Sequence, residues 1–255
     1  MRQGATSIVI VLALLLAACG EEPGASETTT TVDVGETTTS VSPKSTTTGA
    51  TATTSGSPTT TAMRGEPVDM GPPAGATLGV IGVAHNDFLN LRANPGADQP
   101  IVDEIPPTYD EVIAGGQTRD LGVSFWTAVS YEGTEGWVNM SYLAYLGATD
   151  DVTSQLIASI GERPEASTMA ELGTLVAEWV ATDDPPSDIV MVVDEGGGDL
   201  GEVTFDVVGL GDDAVRGVRL HIFAENLEGH FQLRTVEQTS LCDPARGVDD
   251  DGSCV

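Results

Sequence analysis

The chain changes texture near residue 77, and that change decides which parts of it can fold. From residue 21 to about residue 77 it is built of Thr, Ser, Gly and Pro with almost no large apolar side chain, and runs of Thr recur at 28–31, 37–39 and 46–48. Such a stretch cannot bury enough apolar surface to offset the entropy of ordering it. A disordered linker is therefore expected over residues 19–76. As a random coil of about 55 residues it would hold its ends roughly 40 Å apart. Clustered Thr with Pro43 and Pro58 fits a glycosylated stalk or a plain spacer equally well.

Beyond residue 77 short apolar stretches alternate with turn residues, at 78–84, 88–92, 101–105, 111–113, 124–131 and 137–140. Regular short strands with turns between them predict a small all-β barrel or sandwich over residues 77–147, and roughly 70 residues suffices for one such barrel. From Asp150 the period becomes helical. Thr149 or Asp150 is placed to cap a helix carrying Val152, Leu156, Ile157 and Ile160 on one face. A second helix starts at Ser167 or Thr168, with Glu171 in position for a capping box, and Pro185-Pro186 stops it. Four strands are expected at 188–193, 202–208, 215–225 and 229–241, with a hairpin turn at 196–199. In the second of these, Val203, Phe205 and Val207 point one way and Glu202, Thr204 and Asp206 the other. Two helices followed by an antiparallel meander make an α+β domain over residues 148–255.

The first module carries Leu89-Asn90-Leu91-Arg92, Asn94-Pro95-Gly96, Trp126-Thr127-Ala128-Val129, Gly136-Trp137-Val138 and Tyr142-Leu143, in that order. This series resembles the SH3b, or bacterial SH3, family. The fold class expected for the chain is thus an all-β SH3-like barrel followed by a small α+β domain of two helices and an antiparallel sheet, after a disordered linker. The resemblance implies an extracellular module that binds cell-wall peptides or is joined to wall hydrolases. Trp126, Tyr109, Tyr131 and Tyr142, with Phe88 and Tyr145, are the candidate binding aromatics, although Trp126 and Trp137 are read first as core and barrel aromatics are more often structural. The sequence departs from the family at Pro106-Pro107-Thr108-Tyr109, where a Gly-containing turn is usual. The C-terminal region, from Ile189, is similar to uncharacterised exported proteins, mainly actinobacterial, through Asp212-Asp213-Ala214-Val215-Arg216-Gly217, Gly229-His230-Phe231 and its final cysteine pair. That resemblance implies a compact disulfide-closed domain and no activity.

At the other end, an apolar run from Ile8 to Ala18 follows Met1-Arg2. It is shorter than the ~20 residues that span a bilayer and fits the core of a secretory signal. Ending in Leu16-Ala17-Ala18-Cys19-Gly20, it resembles the lipobox of bacterial lipoproteins, which implies a signal peptide over residues 1–18 and a diacylated, palmitate-bearing Cys19 as membrane anchor. The expected location is the extracytoplasmic face of the cell membrane. Oxidising compartments favour disulfides, so Cys242 and Cys254 are expected to pair. A metal site is the alternative, but no His or third Cys lies at ligand spacing from them.

Acidic side chains outnumber basic ones 39 to 10, for a net charge of −29. That charge repels phosphate backbones and weighs against nucleic acid as a partner. A Cys–His hydrolase needs a thiolate beside its base, and here one Cys is expected to be lipidated and two bonded. No His-Glu-x-x-His or Gly-x-Ser-x-Gly occurs. His221 and His230 are zinc candidates if their strands pair. The acids near 194–202, 212–213 and 249–251 are calcium candidates, though none follows the twelve-residue calcium loop.

The expected protein is a non-enzymatic surface lipoprotein that binds or scaffolds at the cell envelope, with no cofactor, no catalytic residue and no metal. Its partner would be a wall peptidoglycan peptide or an envelope protein. An envelope-glycan-active enzyme or accessory subunit, and a calcium- or small-ligand-binding sensor, are the alternatives.

Overall fold

Leu89 and Leu91 are buried while Asn90 and Arg92 stand partly in solvent, the period-2 pattern of a half-buried strand. Similar alternation recurs along several strands of the molecule. The computed structural model describes residues 63–196 and 200–255. The expected signal peptide, Cys19, most of the expected linker and residues 197–199 of the expected hairpin turn lie outside the described residues.

The chain enters through β1 (Glu66–Val68) and β2 (Thr77–Val80), then β3 (Leu89–Arg92), β4 (Ile101–Ile105), β5 (Val112–Asp120), β6 (Phe125–Tyr131), β7 (Thr134–Asn139) and β8 (Leu143–Asp151). Because β1 pairs with β5, the folded part begins before residue 77, which corrects the expected extent of the linker. The reason is physical: β1 is held by backbone pairing on β5, and composition registers buried apolar area rather than ladder bonds. β6 and β7 form a tight hairpin in which Tyr131 faces Thr134. Both turn residues, Glu132 and Gly133, have positive φ (47° and 88°), the geometry that matches strand twist. Leu78, Val80, Leu91, Ile105, Val112, Val129, Val138 and Leu143 fill the interior of this curled sheet.

The second half adds α1 (Thr153–Ile160), β9 (Glu165–Ala166), α2 (Met169–Val180), β10 (Asp188–Val193), β11 (Leu200–Val208), β12 (Val215–Asn226) and β13 (Phe231–Cys242). Thr149 and Asp150, expected to cap α1, instead extend β8, where they face Thr239 and Gln238. The carboxylate of Asp151 takes the amide of Thr153 instead, at 2.9 Å. Leu156 is buried and Ile160 exposed, so the apolar face of α1 is narrower than its sequence implies. α2 begins as expected, with the Thr168 hydroxyl accepting from the Glu171 amide. The Glu171 carboxylate reaches back to the Ser167 amide. The helix ends at Val180, ahead of Pro185-Pro186. Met169, Leu172 and Val176 pack on Val203, Phe205, Leu220 and Ile222 of the sheet behind.

Among the described residues, thirteen strands run in one hydrogen-bonded series, β10-β11-β12-β13-β8-β2-β5-β6-β7-β3-β4, with β1 on β5 and β9 on β13. β8 belongs to both halves. Its start pairs with β2, and its remainder pairs with β13 across the 147/148 position. A small cluster of Ile81, Ala144 and Leu241 fills this joint.

β11 departs from its expected alternation. Glu202 is exposed, but Thr204 and Asp206 are buried like Val203, Phe205 and Val207 on the opposite side. The loop after β2 covers Asp206, with Gly82 donating to it at 2.9 Å. The Cys242–Cys254 disulfide closes the C-terminus, with Cα atoms 5.1 Å apart. The closed loop folds back on β8, where the Ala148 amide donates to the Gly252 carbonyl at 2.7 Å.

Candidate functional site

A groove of about 540 Å³ opens beside β3, and the alternation of that strand explains it. Leu89 and Leu91 turn into the barrel, so Asn90 and Arg92 face outward and line the groove. Phe88, 48% exposed, stands on one flank, and Tyr142, 41% exposed, stands on another. Trp126 is only 5% exposed, so most of its ring is core and one edge contributes to the groove wall. Its indole N–H donates to the Ser124 hydroxyl at 3.0 Å.

The polar lining is fixed by local bonds. Arg92 donates to the Gln99 carbonyl at 2.6 Å. The Asp87 carboxylate accepts the Phe88 amide at 2.8 Å. The side-chain carbonyl of Asn139 accepts from the amide and hydroxyl of Ser141, at 3.1 and 2.9 Å, and orients the turn that carries Tyr142. The result is a concave surface of aromatic rings with a few convergent amides and one charge of each sign, the composition of a small-ligand or peptide site.

The candidate aromatics do not converge. Trp126 and Tyr142 share the groove, whereas Tyr109 and Tyr131 lie elsewhere as an edge-on pair with ring centroids 4.8 Å apart and planes at 87°. They pack against the barrel core, as does Tyr145. Burial holds both hydroxyls of the pair above the ordinary tyrosine range, helped by Glu111 and Glu132 beside Tyr109 and by Glu132 and Asp103 beside Tyr131. The turn at Pro106-Pro107-Thr108 positions this pair: the Tyr109 carbonyl accepts from the Val80 amide at 2.8 Å. Asn90, Arg92, Asn139, Asp87 and Val190 were not among the candidates. For Asn90 and Arg92 the signal was present, as the outward positions of a strand whose inward residues are leucines.

The acidic and histidine candidates of the C-terminal part are engaged locally. Asp212 caps the amides of Ala214 and Val215, which hold its carboxyl below the ordinary range. Asp213 pairs with Arg246, and Asp249 accepts from Asp251 and Ser253. His221 lies 2.6 Å from Glu202, His85 3.8 Å from Asp194 and His230 3.7 Å from Glu165. His221 faces Glu237 within the β12–β13 ladder and His230 sits in its terminal turn, so the ladder keeps the two zinc candidates apart. Among the described residues no three His, Cys, Asp or Glu side chains are grouped to hold a metal ion.

Residues 87–144 match the bacterial SH3 domain family. No curated protein and no solved structure matches the chain. The matched segment runs from β3 to the start of β8 and contains Phe88, Asn90, Arg92, Trp126, Asn139 and Tyr142. It excludes Gly82, Val83 and Ala84 of the loop after β2 and Val190 of β10, which complete the groove.

Proposed function

We propose that this chain is a non-enzymatic lipoprotein of the cell envelope, held at the membrane by Cys19, whose bacterial SH3 domain binds cell-wall peptide in the groove between Phe88, Trp126 and Tyr142. The observation that carries the reading is the coincidence of the family match with the groove: most of its lining lies within the matched segment. Aromatic flanks offer large apolar contact at little entropic cost, and amide side chains suit the backbone of an extended peptide. The acidic surface argues against simple charge attraction to anionic wall polymers and favours recognition of the peptide moiety. The Cys242–Cys254 disulfide engages both cysteines among the described residues, so a Cys–His hydrolase mechanism would have no thiolate there.

The test is co-sedimentation of the chain with purified cell walls at physiological salt, alongside Phe88→Ala and Tyr142→Ala. Both side chains are only about half buried, so each change should lower the melting temperature by a few degrees at most. Each should weaken wall retention by about ten-fold, on the order of 1.4 kcal/mol. Absence of pelleting above a mock control for the unmodified chain overturns the reading.

A further inference from the structure

Part of the groove wall is foreign to the matched domain. Gly82, Val83 and Ala84 come from the loop after β2, and Val190 comes from β10 of the C-terminal sheet. This loop, residues 81–88, ends in Phe88, and it is fastened to that sheet at two points. At the first, the Asp206 carboxylate is fully buried and accepts from the Gly82 amide at 2.9 Å. It is also gripped by Arg219 through two bonds, 2.7 Å from Nε and 2.9 Å from Nη2. The same Nη2 donates to the Val80 carbonyl at 2.8 Å. At the second point the His85 amide donates to the Met191 carbonyl of β10 at 2.9 Å.

A buried ion pair is a poor source of net stability, because desolvating both charges consumes most of the Coulombic gain, and apolar residues of similar volume often serve as well. What apolar residues could not do is bond the two backbone groups that bracket the loop, the Val80 carbonyl and the Gly82 amide. Gly82 itself has φ +64°, a conformation other residues rarely adopt, so the chain turns sharply where the carboxylate meets it. The groove also continues past Gly82, Tyr142 and Val190 into a cleft of about 650 Å³ lined by both halves of the molecule.

We propose that the ligand site is composite: the C-terminal half of the sheet supplies one wall through Val190, and Asp206 and Arg219 are positioning residues that hold loop 81–88 in the shape the ligand meets. The ligand class is an extended peptide lying across the joint between the two halves of the sheet, with an apolar side chain between Phe88 and Tyr142. This inference rests on the wall-peptide reading of the groove.

Two measurements test it. First, the isotope-labelled full chain is titrated with soluble muropeptides released from purified walls. Amide shifts are expected together at Phe88, Asn90 and Val190. Shifts confined to the barrel overturn the composite site and leave the wall-peptide reading standing; no shift at any residue overturns both. Second, hydrogen exchange and affinity are measured on the double variant Asp206→Leu with Arg219→Met, which removes the charges but keeps apolar volume. Exchange at Gly82 and His85 should accelerate at least ten-fold, with muropeptide affinity about ten-fold weaker; the stranded Val80 carbonyl and Gly82 amide lower the melting temperature, but exchange at Leu172 in α2 should rise by less than exchange at Gly82 and His85. Unchanged protection of the loop, or unchanged affinity, overturns the positioning role. Should the double variant fail to fold, Asp206→Asn, which preserves shape and removes the charge, is read by the same two measurements and the same outcomes.

Discussion

Thr153 illustrates how single polar atoms decide this fold. Its amide is capped by Asp151, and its hydroxyl accepts the Val236 amide at 2.9 Å in a buried environment. The side chain thereby ties the start of α1 to the middle of β13. Thr153→Val keeps the volume and removes the acceptor, stranding a buried N–H. That penalty is typically about 1–3 kcal/mol, larger than the net gain from an average hydrogen bond. The denaturation midpoint should fall accordingly with no change in the slope, and an unchanged midpoint would show that Val236 finds another partner. The hydrogen bond from the Thr153 hydroxyl, then that from its amide, holds the Asp151 carboxyl below its ordinary range, so the same substitution should raise the Asp151 titration midpoint. In sequence Thr153 reads as an unremarkable early helix residue; its partner, 83 positions away, is visible only once β13 lies alongside.

At the scale of elements, α2 meets the sheet through a glycine. A Cβ built on Gly173 would lie 2.2 Å from Cε2 of Phe205, and that ring is almost fully buried. Two effects then compete in Gly173→Ala. Alanine gains about 1 kcal/mol of helix propensity, while overpacking a filled core typically costs about 1–3 kcal/mol. The Phe205 ring cannot swing into solvent, so the clash should prevail and the variant should be less stable than the parent. Combining it with Phe205→Leu should recover part of the loss, and a cycle with no coupling between the two sites would refute the contact. The outline of α2 was legible from Thr168, Glu171 and the apolar spacing of Leu172 and Val176, because these are local signals. Most strands were legible too, since alternation at Leu89–Arg92 and the Glu132-Gly133 turn are also local. The joint was not. Asp206 occupies an outward position on an alternating strand, and only the loop after β2 makes that position an interior one. The groove suffers the same limit: its aromatics can be listed from sequence, but whether Tyr109 faces Tyr142 or Tyr131 depends on which strand each leaves.

For the whole molecule, charge and burial act through pH in opposite directions. Asp151 and Asp212 have carboxyls held below 3.8 by bonds to backbone amides and a hydroxyl. A depressed folded value means that their contribution is present above pH 3.8 and is lost as pH falls through the lowered values; with Asp98, lowered in the same direction, they contribute to the acid limb of stability. The alkaline limb has a different origin. Tyr109, Tyr131 and Tyr145 all have hydroxyls raised above 10.0, chiefly by burial, with neighbouring carboxylates adding to the first two. A raised folded value for an acid that is neutral when protonated means that the fold favours the neutral phenol. Stability is then fully retained below pH 10 and lost as pH climbs through the raised values, because the unfolded chain ionises first. The large negative charge, −29 over the chain, compounds this: each new phenolate enters a molecule that already repels it. Melting temperature should therefore hold nearly level between about pH 6 and 9 and drop steeply above about pH 10. Replacing Tyr109 and Tyr131 with Phe should flatten that drop while leaving the acid limb in place, because the aspartates are untouched. Added monovalent salt should also soften it, as carboxylates that face the ring hydroxyls across partly exposed surface are screened within a Debye length of about 8–10 Å. A drop of unchanged steepness in the doubly substituted chain would assign the alkaline transition to Tyr145 or to the chain's general repulsion, and would separate the fate of the edge-on tyrosine pair from that of the barrel it packs against.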